Sequence, residues 1–130
     1  MQIQRIQTWS AESLPHDLLS SLEQGGIHCQ VEPDPELKAG LTGALGAAAN
    51  TGTLALASAP GQPLTASLLP EIHLACLHAS QILPTLADLI TQPWIAQAAN
   101  TVLISGPSRT ADIEMTLTIG VHGPKQLIVV

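Results

Sequence analysis

The chain has 130 residues, enough for one domain that buries roughly two-thirds of the surface its unfolded form exposes. Hydrophobic residues make up 45% of it but aromatics only 2%, with neither Phe nor Tyr, so the core is expected to consist of Leu, Ile, Val and Ala. Net charge is −6 with four cations, Arg5, Lys38, Arg109 and Lys125, which argues against nucleic acid or an anionic membrane surface as partner, since both need clustered Lys and Arg.

In chain order, Met1 to Trp9 alternates weakly and is read as a first strand. Ser13 is placed as the cap of a helix with Leu14, Leu18, Leu19 and Leu22 on its apolar face, Pro15 in the first turn and Gly25-Gly26 as the stop. Ile27 to Val31 is a short strand, and Glu32-Pro33-Asp34-Pro35 a loop. Gly40 to Ala57 is rich in Gly and Ala and turns through Asn50-Thr51-Gly52 into a buried strand, Thr53 to Ala57. Small residues at that density suit either close approach of a ligand or tight helix–sheet packing. After the loop Pro60-Gly61-Gln62-Pro63, His73 to Leu77 is a strand. Ser80 precedes a helix with Ile82, Leu83, Leu86, Leu89 and Ile90 on its inner side, and a short helix spans Trp94 to Ala99.

The alternation of strands and helices predicts an α/β fold with a mostly parallel sheet and helices on both faces. Right-handed crossovers would set the loops after Leu56, Leu77 and Ile104 along one edge. No apolar run reaches membrane length and no basic-then-apolar leader opens the chain, so a soluble, cytoplasmic protein is expected. Cys29 and Cys76 lack CxxC spacing, and on a strand Cys76 and His78 face away from His73, so neither a metal nor any other cofactor is expected. His28-Cys29 meets the same objection.

The most informative stretch is Val102 to Pro124, VLISGPSRTADIEMTLTIGVHGP. A buried strand, Val102-Leu103-Ile104, ends on Ser105-Gly106-Pro107-Ser108; Thr110 then caps a predicted helix with Asp112 and Glu114 in its first turn. Gly120-Val121-His122-Gly123-Pro124 is a second corner before the terminal run Leu127 to Val130. Arg109, between a Gly-Pro loop and a helix start, can bind a carboxylate or phosphate in a bidentate manner, or pair with Asp112. Asp112 and His122 are candidate acid/base groups; a helix-dipole role for Asp112 and a backbone hydrogen bond for His122 explain them as well. Thr51 and Thr53, flanking Gly52, offer hydroxyl donors or simple turn capping.

SGPSRTADIE followed by GVHGP resembles the C-terminal motif of the LUD domain, the family of lactate-utilisation protein C. Thr42-Gly43-Ala44, Asn50-Thr51-Gly52-Thr53-Leu54 and Ser67-Leu68-Leu69-Pro70 with Ile72-His73 extend the match, so that residues 40–130 carry the resemblance within a single domain of 130 residues. The resemblance implies a NagB/RpiA/CoA-transferase-like fold and an accessory role beside iron–sulfur partner proteins that oxidise lactate to pyruvate. It implies a ligand site drawn from Asn50, Thr51, Gly52, Thr53, Ser105, Gly106, Ser108, Arg109 and Thr110. This chain departs from the family where Leu45 and Asn50 replace acids and where Gln62 and Leu64 stand in a loop that usually carries Arg. The helical N-terminal portion of longer members is not expected in full. No independent catalysis is expected. The alternatives are an enzyme or sensor for a small anionic metabolite, or an assembly module; a homo-oligomer, probed by sedimentation, fits the low charge density.

Overall fold

The computed structural model describes residues 3–106, 109–111, 117–119 and 124–130, with the backbone alone at 109–111 and 117–119. Strand β1 (Arg5–Thr8) leads through a 3-10 turn at Ala11–Ser13 into helix α1 (Leu18–Gln24), followed by β2 (His28–Gln30). Next come β3 (Ala39–Thr42), β4 (Gly46–Ala48), β5 (Thr53–Ala57), the single turn α2 (Thr65–Leu68) and β6 (Ile72–Ala75). The rest of the chain forms β7 (Ile82–Leu83), α3 (Leu86–Ile90), α4 (Pro93–Gln97), β8 (Thr101–Ile104), β9 (Arg109–Ala111), β10 (Leu117–Ile119) and β11 (Gln126–Val129).

The main sheet has five strands in the order β11-β6-β3-β1-β2, and every pairing in it is parallel. The fold is therefore α/β with a mostly parallel sheet, as the alternation of elements predicts. Register divides the side chains between two faces. Thr8, Leu41, Leu74 and Ile128 form a rank across four strands on the α1 side, while Gln7, Gly40, His73 and Leu127 form the neighbouring rank on the α2 side. Leu18, Leu19 and Leu22 pack on the first side. On the second, α2 lies so close to β3 that a Cβ on Gly40 would come 1.8 Å from the Ala66 carbonyl oxygen. At Gly40 the small residue serves helix–sheet packing.

Four expectations need correction. Helix α1 begins at Leu18 rather than at Ser13, because Pro15 drives Leu14 into the extended region (φ −125, ψ 166). Likewise Ile82 and Leu83 form β7 and not the inner side of a helix; Pro84 keeps Leu83 extended, and α3 starts only after Thr85, whose hydroxyl accepts from the Asp88 N–H. Val102–Ile104 is a strand, but it belongs to a second sheet, β7-β4-β5-β8, where β8 runs antiparallel to β5. The loops after Leu56 and Ile104 consequently lie at opposite ends of that sheet and not along one edge. Finally, Thr110 caps no helix, since Arg109–Ala111 pairs antiparallel with Leu117–Ile119, where β-branched Thr110, Thr118 and Ile119 suit a strand.

The core differs from expectation in composition. Trp9, 1% exposed, is its largest side chain, and its indole N–H donates to the Pro63 carbonyl at 3.1 Å. Gln7, Thr42, Ser67 and His73 are also fully buried. Composition gives no signal for a buried polar group. The period-two pattern on β6 places His73 opposite Cys76, but only α2 closes that face.

Candidate functional site

The hairpin β4–β5 and strand β8 bring three of the candidate residues together. Register pairs Leu54 with Ile104, so Thr53 and Ser105 stand opposite one another where β5 begins and β8 ends. The Thr53 hydroxyl lies 2.7 Å from that of Thr51 and 2.7 Å from that of Ser105. Thr53 is buried while Thr51 and Ser105 are exposed, so a chain of three hydroxyls reaches the surface at both ends. Two contacts use two of its three protons. Among the described residues one O–H donor therefore remains for a carboxylate, phosphate or carbonyl oxygen.

Two glycines flank this chain. Gly52 has φ +65 and Gly106 φ +95, left-handed values that L side chains rarely adopt, and a Cβ at either would meet no atom within 4 Å. Among the described residues their backbones thus border open space on either side of the hydroxyls. Asn50 is placed differently, for its side-chain oxygen accepts from the Leu86 N–H at 3.0 Å and so holds the start of α3. That bond ties the β4–β5 turn to the helix and fixes the approach to Thr51. Of the remaining candidates, Arg109 and Thr110 lie on β9 with only their backbone described, while Ser108, Asp112 and His122 lie outside the described residues.

His73 and Cys76 offer different chemistry. The His73 Nε2 sits 2.8 Å from the Thr42 hydroxyl, Nδ1 has no partner among the described residues, and burial pushes the imidazole pKa down to about 4. It is a neutral, buried hydrogen-bonding group that does not reach the hydroxyl chain. Cys76 lies on the other face of the sheet, and burial raises its thiol pKa. Among the described residues no three His, Cys, Asp or Glu side chains converge as metal ligands.

A cavity of about 480 Å³ lies elsewhere, outside the carboxyl ends of β1, β3 and β6 and lined by Leu14, Gly43, Cys76, His78 and Gln81 among others. Ends of parallel strands are the usual place for ligands in such sheets. Among the described residues, however, no Asp, Glu, Lys or Arg side chain lines this one. Gln81 already donates to the Ala44 carbonyl and accepts from the His78 N–H, and the His78 Nδ1 is engaged by Ser80. An anion is better served by the hydroxyl chain.

The LUD domain matches residues 36–130, most of the chain and both halves of the hydroxyl site. The protein belongs to the LUD domain family. It is 38% identical over 96 residues to an uncharacterized protein of Neisseria meningitidis, an alignment covering 72% of this chain and 41% of that one. It is 36% identical over 100 residues to lactate utilization protein C of Halalkalibacterium halodurans, covering 72% and 44% respectively. The LUD segment thus spans less than half the length of the relatives it matches. A crystal structure of a DUF162 family protein from Deinococcus radiodurans superposes with a TM-score of 0.59 at 18% identity, covering 98% of this chain and 86% of that one. At that identity the likeness concerns fold alone. No helix among the described residues is long and apolar enough to cross a membrane.

Proposed function

We propose that this LUD domain is an accessory component of lactate utilisation, acting beside iron–sulfur proteins that oxidise lactate to pyruvate, and that it binds a small carboxylate at the β5–β8 end. The hydroxyl chain Thr51–Thr53–Ser105 carries this reading, because among the described residues it leaves one free donor between two open glycine turns. The relatives named lactate utilization protein C supply the process. In this reading Arg109, next along the chain, supplies the charge that hydroxyls lack and forms a bidentate pair with the carboxylate. Ser108, Thr110, Asp112 and His122 remain part of the proposed surroundings on the strength of the motif.

Ligand-dependent melting tests it. At about 100 times Kd, lactate or pyruvate should stabilise the fold by about 2.7 kcal/mol. Arg109→Ala and Ser105→Ala should each remove most of that gain; Ser105 is exposed, so its replacement should leave the unliganded midpoint nearly unchanged. Turnover of lactate by the isolated chain is not expected. Identical melting curves for wild type and Arg109→Ala with lactate, pyruvate, phosphate and coenzyme A would sink the carboxylate site.

A second reading, an assembly module, is favoured by β11 at the edge of the main sheet. Its residues Ile128 and Val129, and Val130 after them, are 47%, 48% and 74% exposed, and an apolar edge unpaired among the described residues invites pairing with another copy. Sedimentation should then find a dimer at micromolar concentration that Ile128→Lys converts to monomer. A wild-type monomer at high micromolar concentration removes this reading.

A further inference from the structure

The main sheet is covered unevenly. On the Gly40 side α2 lies against β3 and β6. On the other side α1 packs on β2, and its Leu18 and Leu22 form one wall of an apolar trough floored by Ile6, Leu41 and Leu74. The trough, about 290 Å³, runs into the cavity of about 480 Å³ at the strand ends, and the two share Leu18, Cys76 and Val130. Towards β11 it is open, with Ile128 at 47% and Val130 at 74% exposure. Parallel sheets ordinarily bury both faces, so among the described residues this strip is a layer short.

The dimensions select what fits. Strands lie about 4.8 Å apart, so β6 and β11 together offer a strip about 10 Å wide, close to one helix diameter. Their four residues span about 13 Å, the length of about nine helical residues. A second copy presenting the same flat strip is held off, because α1 rises about 10 Å above the sheet beside it. An acyl chain would stay half wet along the β11 side, whereas a rod covers floor and open edge together. Relatives carry more than half their length outside the matched segment, so the LUD segment works beside further polypeptide there. With a net charge of −6 on this chain, a partner with basic flanks is favoured.

We infer that the trough between α1 and β11 is a docking surface for one basic amphipathic helix of a partner protein, its apolar side seated on Leu74, Cys76 and Ile128. Cys76 reports occupancy. In the Cys29→Ser protein, alkylation of Cys76 is followed at alkaline pH with and without a stapled Leu/Ala/Lys helical peptide of roughly fourteen residues. At about ten times its Kd the peptide should slow alkylation about tenfold. A peptide of equal composition with Leu scattered round the helix should not. Ile128→Glu and Val130→Glu, both at exposed positions, should abolish protection, while Leu103→Glu on the second sheet should leave it intact. The inference is overturned if neither peptide, or both equally, protects Cys76. It is overturned also if Cys76 becomes protected merely by raising protein concentration, or is inert in a monomer without peptide.

Discussion

Gly40→Ala is expected to destabilise the protein by about 3 kcal/mol or more, a large share of the 5–15 kcal/mol typical of a domain. The added methyl would lie 1.8 Å from the Ala66 oxygen, 2.9 Å from its carbonyl carbon and 3.1 Å from Pro70 Cγ. Two of those atoms are backbone, so no rotamer change relieves the clash; α2 must lift from β3 or β3 must bend away. Either movement exposes Ala66, Ser67 and His73, all fully buried. Gly25→Ala is the control. There the methyl meets only the Leu22 and Ser21 oxygens at 3.5 Å, at a position with φ −82, and the change should stay within about 1 kcal/mol. Urea unfolding of the two variants decides: equal midpoints would mean that α2 does not sit on β3.

Acid should weaken the fold through His73. Burial holds its pKa at about 4, against the 6.5 usual for a histidine. Because the folded state resists the proton, the unfolded state binds it first as pH falls. The contribution of neutral His73 is therefore complete above pH 6.5 and declines between pH 6.5 and about 4, by about 3 kcal/mol in all. His73→Gln keeps a side-chain partner for Thr42 and does not titrate. It should be somewhat less stable at pH 7 and lose far less stability on going to pH 4.5, carboxylate titration being common to both proteins. Parallel stability–pH curves for wild type and His73→Gln would show that the imidazole takes up its proton without opening the sheet.

Both effects depend on α2, and neither its position nor its consequences are legible in the sequence. The Gly- and Ala-rich run from Gly40 admits a ligand or a packed helix equally well, and only the Ala66 carbonyl resting on Gly40 decides between them. The prolines, by contrast, act locally and are legible in the sequence. Pro15 and Pro84 each hold the preceding residue extended, and α1 and α3 begin only after them.

The site divides in the same way. The turns at Gly52 and Gly106, and the hydroxyls beside them, stand out in the sequence as small polar residues at strand ends. That Thr51, Thr53 and Ser105 form one chain is a matter of register between β5 and β8, segments some fifty positions apart.

By itself, then, the sequence determined Thr53–Ala57 as a strand and, to within a few residues, the strands read at Met1 to Trp9, His73 to Leu77 and Val102 to Ile104, with the α/β class and the LUD family, because period, turn residues and a contiguous motif are local properties. The tertiary structure alone decided that Thr101–Ile104 pairs antiparallel in a second sheet, that His73 lies sealed beneath α2, and that Ile128 and Val130 beside β6 stay exposed. Those outcomes depend on which surfaces meet across long sequence separations, and burial, pKa and open apolar area belong to the meeting rather than to either segment.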